Sequence, residues 1–471
     1  MIHQYKNNGY NIVLDVNSGA VHVVDDIVYD VIPVVGQIFE KKESKNHQIL
    51  TEEEKAEAMN SVLSAGLSYD EELLKEAVEE ILELAEANML YTEDIYEDYI
   101  DSFKSRQTVV KALCLHIAHD CNLACKYCFA EEGEYHGRRA MMSYEVGKKA
   151  LDFLVANSGN RRNLEVDFFG GEPLMNWQVV KDLVAYGRSI EEANHKKFRF
   201  TLTTNGVLLN DEILEFANKE MANLVLSIDG REQVHNAMRP FRGGQGSYDL
   251  IVPKFQHAAE SRNQTNYYVR GTFTHHNLDF SEDVLHLADL GFEQISVEPV
   301  VAPKEEDYAL KEEDIPVLLE QYDILAKKMI ERRKEGKAFN FFHFMIDLEG
   351  GPCVAKRLSG CGSGCEYLAV TPWGDFYPCH QFVGNEEFLM GNVDEGIVRD
   401  DLREKFKQCN VYAKDKCKNC FAKFYCSGGC AANSYNFTGD IYDAYDIGCE
   451  LQRKRVECAI MLKAAQADGE A

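Results

Sequence analysis

Long apolar runs are missing from this 471-residue chain. The longest, such as IVYDVIPVV, fall well short of the about 18 residues a helix needs to cross a bilayer, so no membrane partner is expected. The opening MIHQYKNNGYNIVLDV has no basic stretch leading into an apolar one. A secretory signal is therefore not expected, and the cytoplasm is the expected compartment. Positive charge is also scarce: 50 Lys and Arg stand against 78 Asp and Glu, a formal charge of −28. That argues against a nucleic-acid backbone as partner and leaves a basic or neutral peptide compatible. No repeat or low-complexity tract stands out. With 45% hydrophobic and 27% charged residues the composition is globular, and the length suggests roughly three domains with ample core. What the chain does have is cysteine, fifteen of them, an odd number that excludes complete pairing. In a reducing compartment such clusters more often ligate metal than form disulfides.

Three segments follow from the patterning. Residues 1–97 open with NIVLDVNSGAVHVVDD, two β-rich runs joined at Asn17-Ser18-Gly19. Three periodic helices follow, with Thr51 and Asp70 as N-caps of the second and third, and then LYTEDIYEDYID as a last strand and linker. This predicts a small α+β unit of winged-helix type. Residues 106–334 alternate strand candidates (LCLHIAH, LEVDFF, FRFTLTTN, NLVLSID, YYVRGTFT, FEQISVEPV) with helical stretches. The pattern predicts an α/β fold, a parallel (β/α)6 partial barrel with its chemistry at the C-terminal strand ends. Residues 350–458 carry eleven cysteines and many glycines in short irregular runs, so metal ligation is the expected organiser there.

Cys121, Cys125 and Cys128 form C-x3-C-x2-C directly after the first barrel strand, with Tyr127 beside the third. Three thiolates on one loop can hold three irons of a 4Fe–4S cube and leave the fourth iron open to a small chelating ligand. Zinc is the alternative, although structural zinc prefers four ligands from paired C-x2-4-C units. Further down the chain Gly170-Gly171-Glu172-Pro173, Thr203-Thr204-Asn205-Gly206, Ser227-Ile228-Asp229-Gly230 with Arg239, and Val297-Glu298-Pro299 close successive strands. In this order the residues resemble the radical S-adenosylmethionine (radical SAM) superfamily. The resemblance implies that Cys121, Cys125 and Cys128 hold the SAM-binding cluster and that Gly170, Gly171 and Glu172 meet the methionine amino group. It further implies that Thr204 and Asn205 face the ribose, Ser227 and Arg239 hold the methionine carboxylate, and Glu298 meets adenine. His116 and His119, flanking the first strand end, are read as structural or supporting.

The second cysteine set runs Cys361-x12-Gly374-x4-Cys379, then Cys417-x2-Cys420-x5-Cys426-x3-Cys430, then Cys449. It resembles the SPASM domain, which carries two auxiliary clusters; C-x2-C-x5-C-x3-C alone is also compatible with zinc. By resemblance one cluster takes Cys417, Cys420, Cys426 and Cys449, and the other Cys361, Cys379 and Cys430. Two fully ligated 4Fe–4S clusters need eight thiolates and this series supplies seven. Cys365 or Cys353 fills the last place, or it stays open for a substrate thiolate. Cys114, Cys409 and Cys458 fit no pattern and are expected to be buried structural thiols.

The N-terminal unit resembles the peptide-recognition element of enzymes that modify ribosomally made peptides, where an open edge strand takes an extended leader by β-augmentation. VLDVNSGAVHVVDDIVYDVI and LAVTPWGDFYPCHQFVGNE resemble maturases of six-cysteine SCIFF peptides. That resemblance implies an oxidoreductase-type enzyme that installs cysteine thioether crosslinks in a small cysteine-rich precursor peptide. It implies three 4Fe–4S clusters, SAM, and an external one-electron reductant of flavodoxin or ferredoxin type. Two other readings stay open: an anaerobic sulfatase-maturating enzyme forming formylglycine, and a non-catalytic iron–sulfur electron carrier.

Overall fold

The computed structural model describes every residue except 42–49, 106, 131, 132, 134, 136, 137, 349–353, 470 and 471. The expected segment starts at 106 and 350, and Cys353, lie outside the described residues.

The N-terminal unit is a three-stranded antiparallel sheet, β1 (Ile2–Asn7), β2 (Tyr10–Asp15) and β3 (Val21–Val23), followed by helices α1 (Asp26–Glu40), α2 (Glu52–Ser64) and α3 (Glu71–Glu86). The turn at Asn17-Ser18-Gly19 forms as expected, with the Asp15 carboxylate accepting from the Asn17 and Ser18 amides. Thr51 closes a reciprocal capping box with Glu54, and Asp70 caps α3 through the Glu72 amide. Two expectations need correction. An additional strand, β1, precedes the hairpin, joined to β2 through Asn8-Gly9, a hairpin-turn pair. The expected last strand after α3 does not form. Tyr91 takes a left-handed φ of +56°, which ends any extended run, and Glu97–Tyr99 and Ile100–Ser105 are helical turns.

All six expected barrel strands are present: β4 (Ala112–His119), β6 (Asn163–Gly170), β7 (Lys197–Thr204), β8 (Met221–Ser227), β9 (Tyr267–Phe273) and β10 (Gln294–Pro299), with a two-residue β5 (Ala140–Met141) hooked antiparallel to β4. They pair in parallel in chain order, with helices such as Tyr144–Asn157, Trp177–Asn194 and Asp211–Glu220 between them. Every residue of β4 is buried, as a strand covered on both faces requires. β11 (Asn340–Phe341) extends the sheet beyond β10.

The cysteine-rich third segment is less irregular than its sequence suggests. Its β12 (Tyr367–Val370) pairs in parallel with β4, and β13 (Asp375–Tyr377), β14 (Gly391–Asn392) and β15 (Gly396–Ile397) continue the same sheet antiparallel. An aromatic cluster of Phe382, Phe388, Phe406 and Tyr435 gives it a small core of its own.

The first and third segments interlock. His3 of β1 stacks on Phe421 with ring centres 3.5 Å apart, and Tyr5 donates to the Glu457 carbonyl. Past α3, the Asp94 carboxylate accepts from the Tyr412 hydroxyl at 2.6 Å and pairs with Lys423 at 2.5 Å. Lys423 is only 3% exposed, so this carboxylate is what makes its buried charge tolerable. Replacing Asp94 with Ala is expected to lower stability by about 3–5 kcal/mol, the range for a buried ion left unpaired. Chemical denaturation checks this; an unchanged midpoint would show that Lys423 finds another partner.

Candidate functional site

The C-terminal ends of β4, β6, β7, β8, β9 and β10 face one cavity of about 280 Å³. Its wall includes Cys121, Cys125, Cys128 and Tyr127 from the loop after β4, and Gly170 and Gly171 after β6. Thr204, Asn205, Ser227, Arg239 and Glu298 complete the barrel side. The sheet is therefore rolled far enough for its first and sixth strands to share a site. Of the barrel residues expected from sequence to meet the cluster or SAM, only Glu172 stands behind the wall rather than on it.

The two glycines are there for the cysteine loop. Gly170 has φ +119°, and a Cβ on it would lie 2.3 Å from the Ala118 carbonyl oxygen. A Cβ on Gly171 would lie 2.1 Å from the Asp120 carbonyl oxygen. Their bare backbone lets the amides of Gly171 and Glu172 donate to Ala118 and Asp120 at 2.7 and 2.9 Å, pinning the strand end that launches Cys121. Glu172, fully buried, accepts from the Leu174 amide at 3.0 Å, the Thr204 hydroxyl at 2.8 Å and the Asn205 amide at 2.8 Å. Burial pushes its carboxyl up to about 7, and the three hydrogen bonds oppose that shift. It braces the TTNG turn against the GGEP turn. Four lone-pair positions minus three donors leaves one acceptor position unused.

Asn205 reaches the cysteine loop. Its side-chain amide donates to Asn122 Oδ1 at 2.8 Å and to Cys121 Sγ at 3.5 Å, where the Leu123 amide also donates. Both donors suit a thiolate. Burial pushes the Cys121 and Cys125 thiols up to about 12, so a bound cation is what would hold them ionised. Three thiols on one cavity wall, with donors aimed at one sulfur, fit a 4Fe–4S cluster held by three protein ligands. Among the described residues no three His, Cys, Asp or Glu side chains converge as one metal ion needs. Thiolates around a zinc ion stand only about 3.8 Å apart, as 2.3 Å bonds dictate, and a cube is wider.

Sequence reasoning passed over the hub. Asp229 is fully buried, and its carboxylate accepts from the Tyr127 hydroxyl at 2.7 Å, Arg239 Nε at 3.0 Å and the Thr272 amide at 3.0 Å. It thereby ties the cysteine loop to β8 and β9. The Arg239 backbone carbonyl accepts from Ser247, whose hydroxyl also meets His235 Nε2 at 2.9 Å. An acid at a strand end ten residues before Arg239, in Ser227-Ile228-Asp229-Gly230, was the available signal. Glu298 pairs with Arg270 at 2.8 Å. His116 and His119 meet each other at 2.9 Å inside the core and pack against Tyr135, as structural residues do.

A second cavity, about 540 Å³, shares Glu298, Pro299 and Val301 with the first and is lined by Cys417, Cys420, Cys426, Cys430 and Cys449. Cys426 feels the charges of Cys449, Cys417 and Cys420, and burial pushes its thiol up to about 12. Burial raises the Cys379 and Cys430 thiols, Cys379 also feeling Cys430 and Cys361, and Cys430 feeling Cys361. Cys365 and Cys409 line a narrow cleft together with Cys361. Cys365 Sγ lies 3.7 Å from the Ser363 and Arg403 carbonyls, and Cys409 Sγ lies 3.3 Å from the Ile441 carbonyl. Cys114 is buried within β4, and Cys458 sits between Asn7 and Asp323, both as expected of packed thiols. No described helix is long and apolar enough to cross a membrane.

Glu172→Gln is expected to cost about 1–3 kcal/mol, because either amide orientation sets an N–H against a buried backbone donor. Denaturation against the parent chain measures it, and equal stability would remove Glu172 as the brace between the two turns.

Residues 110–252 match a family model described as a 4Fe-4S single cluster domain. In sequence, the chain is 21% identical over 369 residues to the radical SAM cyclopropyl synthase TigE of Paramaledivibacter caminithermalis, covering 73% of this chain and 72% of that one. It is 24% identical over 348 residues to the cysteine-type anaerobic sulfatase-maturating enzyme of Clostridium novyi, covering 70% and 90%. In fold, it superposes on anSMEcpe with bound AdoMet at TM-score 0.65 and 19% identity, over 76% of this chain and 96% of that one. Streptococcus suis SuiB, solved with S-adenosylmethionine and with its precursor peptide SuiA, superposes at TM-score 0.51 and 16% identity over 95% and 98%. The chain is thus similar in sequence to radical SAM maturases and shares their fold.

Proposed function

We propose that this protein is a radical SAM peptide maturase that forms intramolecular cysteine thioether crosslinks in a ribosomally made, cysteine-rich precursor peptide. One observation carries the reading. The cavity that holds Cys121, Cys125 and Cys128 is also lined by His380 and Gln381, which follow Cys379, and by Asn436, on the helix that follows Cys430. A peptide held there lies between the SAM site and the expected open position beside Cys361, Cys379 and Cys430. When bound, the cluster and SAM supply a carbon-centred radical able to take hydrogen from an unactivated carbon.

The chain's own residues bind, orient and enclose. Asn205 and the Leu123 amide stabilise the Cys121 thiolate. The carboxylate of Asp229 holds the Arg239 guanidinium at the cavity wall, where its remaining N–H groups suit the methionine carboxylate. Ser227, Glu298, Gly170 and Gly171 line the same cavity, within which the rest of SAM would lie. Phe129, next to Cys128, and Phe169 pack against the His380 ring on the cavity wall. In the second cavity Cys417, Cys420, Cys426 and Cys449 would hold a fully ligated cluster, which would supply electron transfer there, and an external one-electron reductant of flavodoxin or ferredoxin type is the expected partner. The last ligand position of the other auxiliary cluster is proposed open, with Cys365 and Cys353 as the alternatives.

Leader recognition is assigned to the N-terminal unit. A groove of about 500 Å³ runs between β1 and α1, lined by Met1, Ile2, Gln4, Pro33, Phe39 and Tyr91. An extended peptide beside a strand edge suits such a groove, main chain to main chain. SuiB, solved bound to its precursor peptide, superposes over 95% of this chain, which supports a peptide as the partner here.

A sulfatase-maturating activity is the second reading, favoured by the Clostridium novyi relative. Mass spectrometry after anaerobic incubation with a small cysteine-rich precursor separates the two. A loss of two hydrogens per crosslink, with linked fragments on sequencing, is expected, and at least tenfold less product without the leader. Formylglycine without a linkage would favour the second reading, and no product from any cysteine-rich precursor would contradict the proposal. Leaderless peptide is a cleaner control than removal of the N-terminal unit, which would strip Asp94 from buried Lys423.

A further inference from the structure

The cavity lined by Cys417, Cys420, Cys426 and Cys449 holds four cations, and three of them are neutralised by protein carboxylates. Lys416 pairs with Asp446 at 2.7 Å, Lys423 with Asp94 at 2.5 Å, and Arg453 with Glu450. Arg455 differs. It is 8% exposed, its Nε donates to the Tyr322 hydroxyl at 2.8 Å, and its guanidinium lies 5.4 Å from the Tyr322 ring centre. Its Nη2 is buried with no hydrogen-bond partner. Guanidinium does not deprotonate in proteins, and a buried charge without a counter-charge is strongly unfavourable. The fold has therefore placed a permanent cation against a thiol-lined space whose two lining carboxylates, Glu298 and Asp446, are already paired with Arg270 and Lys416.

Four thiolates around a 4Fe–4S core of charge +2 leave a net charge of about −2, rising to about −3 on reduction. We infer that Arg455 is the counter-cation of the cluster held by Cys417, Cys420, Cys426 and Cys449, and that Arg455 raises that cluster's reduction potential by stabilising its more negative, reduced form. This rests on the proposed four-thiolate ligation of that cavity. The Tyr322 hydroxyl, on helix Ile315–Lys334, fixes the guanidinium from behind, so the barrel side of the molecule orients a charge that acts in the third segment. A structural role for Arg455 predicts loss of folding when it is replaced. A charge role predicts a shift in one cluster's potential that lysine restores.

The test is an anaerobic redox titration followed by EPR on the iron-loaded full chain, comparing the parent with Arg455→Met and Arg455→Lys. In Arg455→Met, at fixed solution potential, the oxidised-to-reduced ratio of one cluster is expected to rise at least tenfold, about 59 mV for one electron. The other clusters should not move, and Arg455→Lys should stay within threefold of the parent. Identical titrations for the Met variant and the parent at full iron content would overturn the inference. So would a Lys variant displaced as far as the Met variant. Should the Met variant fail to take up iron, the Lys variant decides: parental iron and potential support the charge role, and failure of both variants overturns it. Absence of any C-terminal cluster in the parent, at about four irons per chain rather than about twelve, would instead remove the ligation reading itself.

Discussion

One buried carboxylate holds the catalytic mouth together. Asp229 has no exposure, yet it stays compatible with the core because Tyr127, Arg239 and the Thr272 amide all point donors at it. Those donors come from three separate strand ends. Tyr127 stands between Cys125 and Cys128, so the position of the cysteine loop is set by a charge-assisted bond to β8 rather than by the loop's own conformation. Removing the carboxylate would free Arg239 and release the tyrosine at once. Cofactor placement and barrel integrity are thus one network.

A similar economy governs the other end of the molecule. The segment between Cys417 and Cys426 contributes Phe421 to a stack with His3 and Lys423 to a pair with Asp94. Asp94 also lines the groove beside β1. The surface assigned to leader recognition therefore shares a residue with the loop that carries three of the second cavity's cysteines. Residues 94 and 423 are far apart in sequence and adjacent in space, and that adjacency joins the N-terminal unit and the cysteine loop into one packed body.

Much of this was legible in the sequence, for identifiable reasons. The barrel strands announce themselves because strands buried on both faces read as apolar runs, and LCLHIAH is such a run. Each chemical motif directly follows one of them, so order along the chain translated into convergence in space. Thr51 and Asp70 were readable as caps because capping is local. What was hidden is non-local. Nothing within a few residues of Asp94 says that its partner is Lys423, and Glu172 reads as a ligand group until Thr204, Asn205 and Leu174 are seen to occupy it. The strand expected after α3 failed because Tyr91 turns left-handed to bury its ring and donate to the Ile32 carbonyl, a tertiary demand that overrides strand propensity. The β12–β15 extension was missed because strands of two to four residues leave almost no periodic signal.

The central claim is that the three-cysteine loop holds a cluster with an open iron facing the site where SAM binds. EPR of the reduced, anaerobically reconstituted chain, recorded with and without SAM, tests it most directly. The account predicts one 4Fe–4S signal whose g-values shift on adding SAM, and which is lost from a chain lacking Cys121, Cys125 and Cys128. A spectrum indifferent to SAM, in protein that carries its full iron, would contradict it.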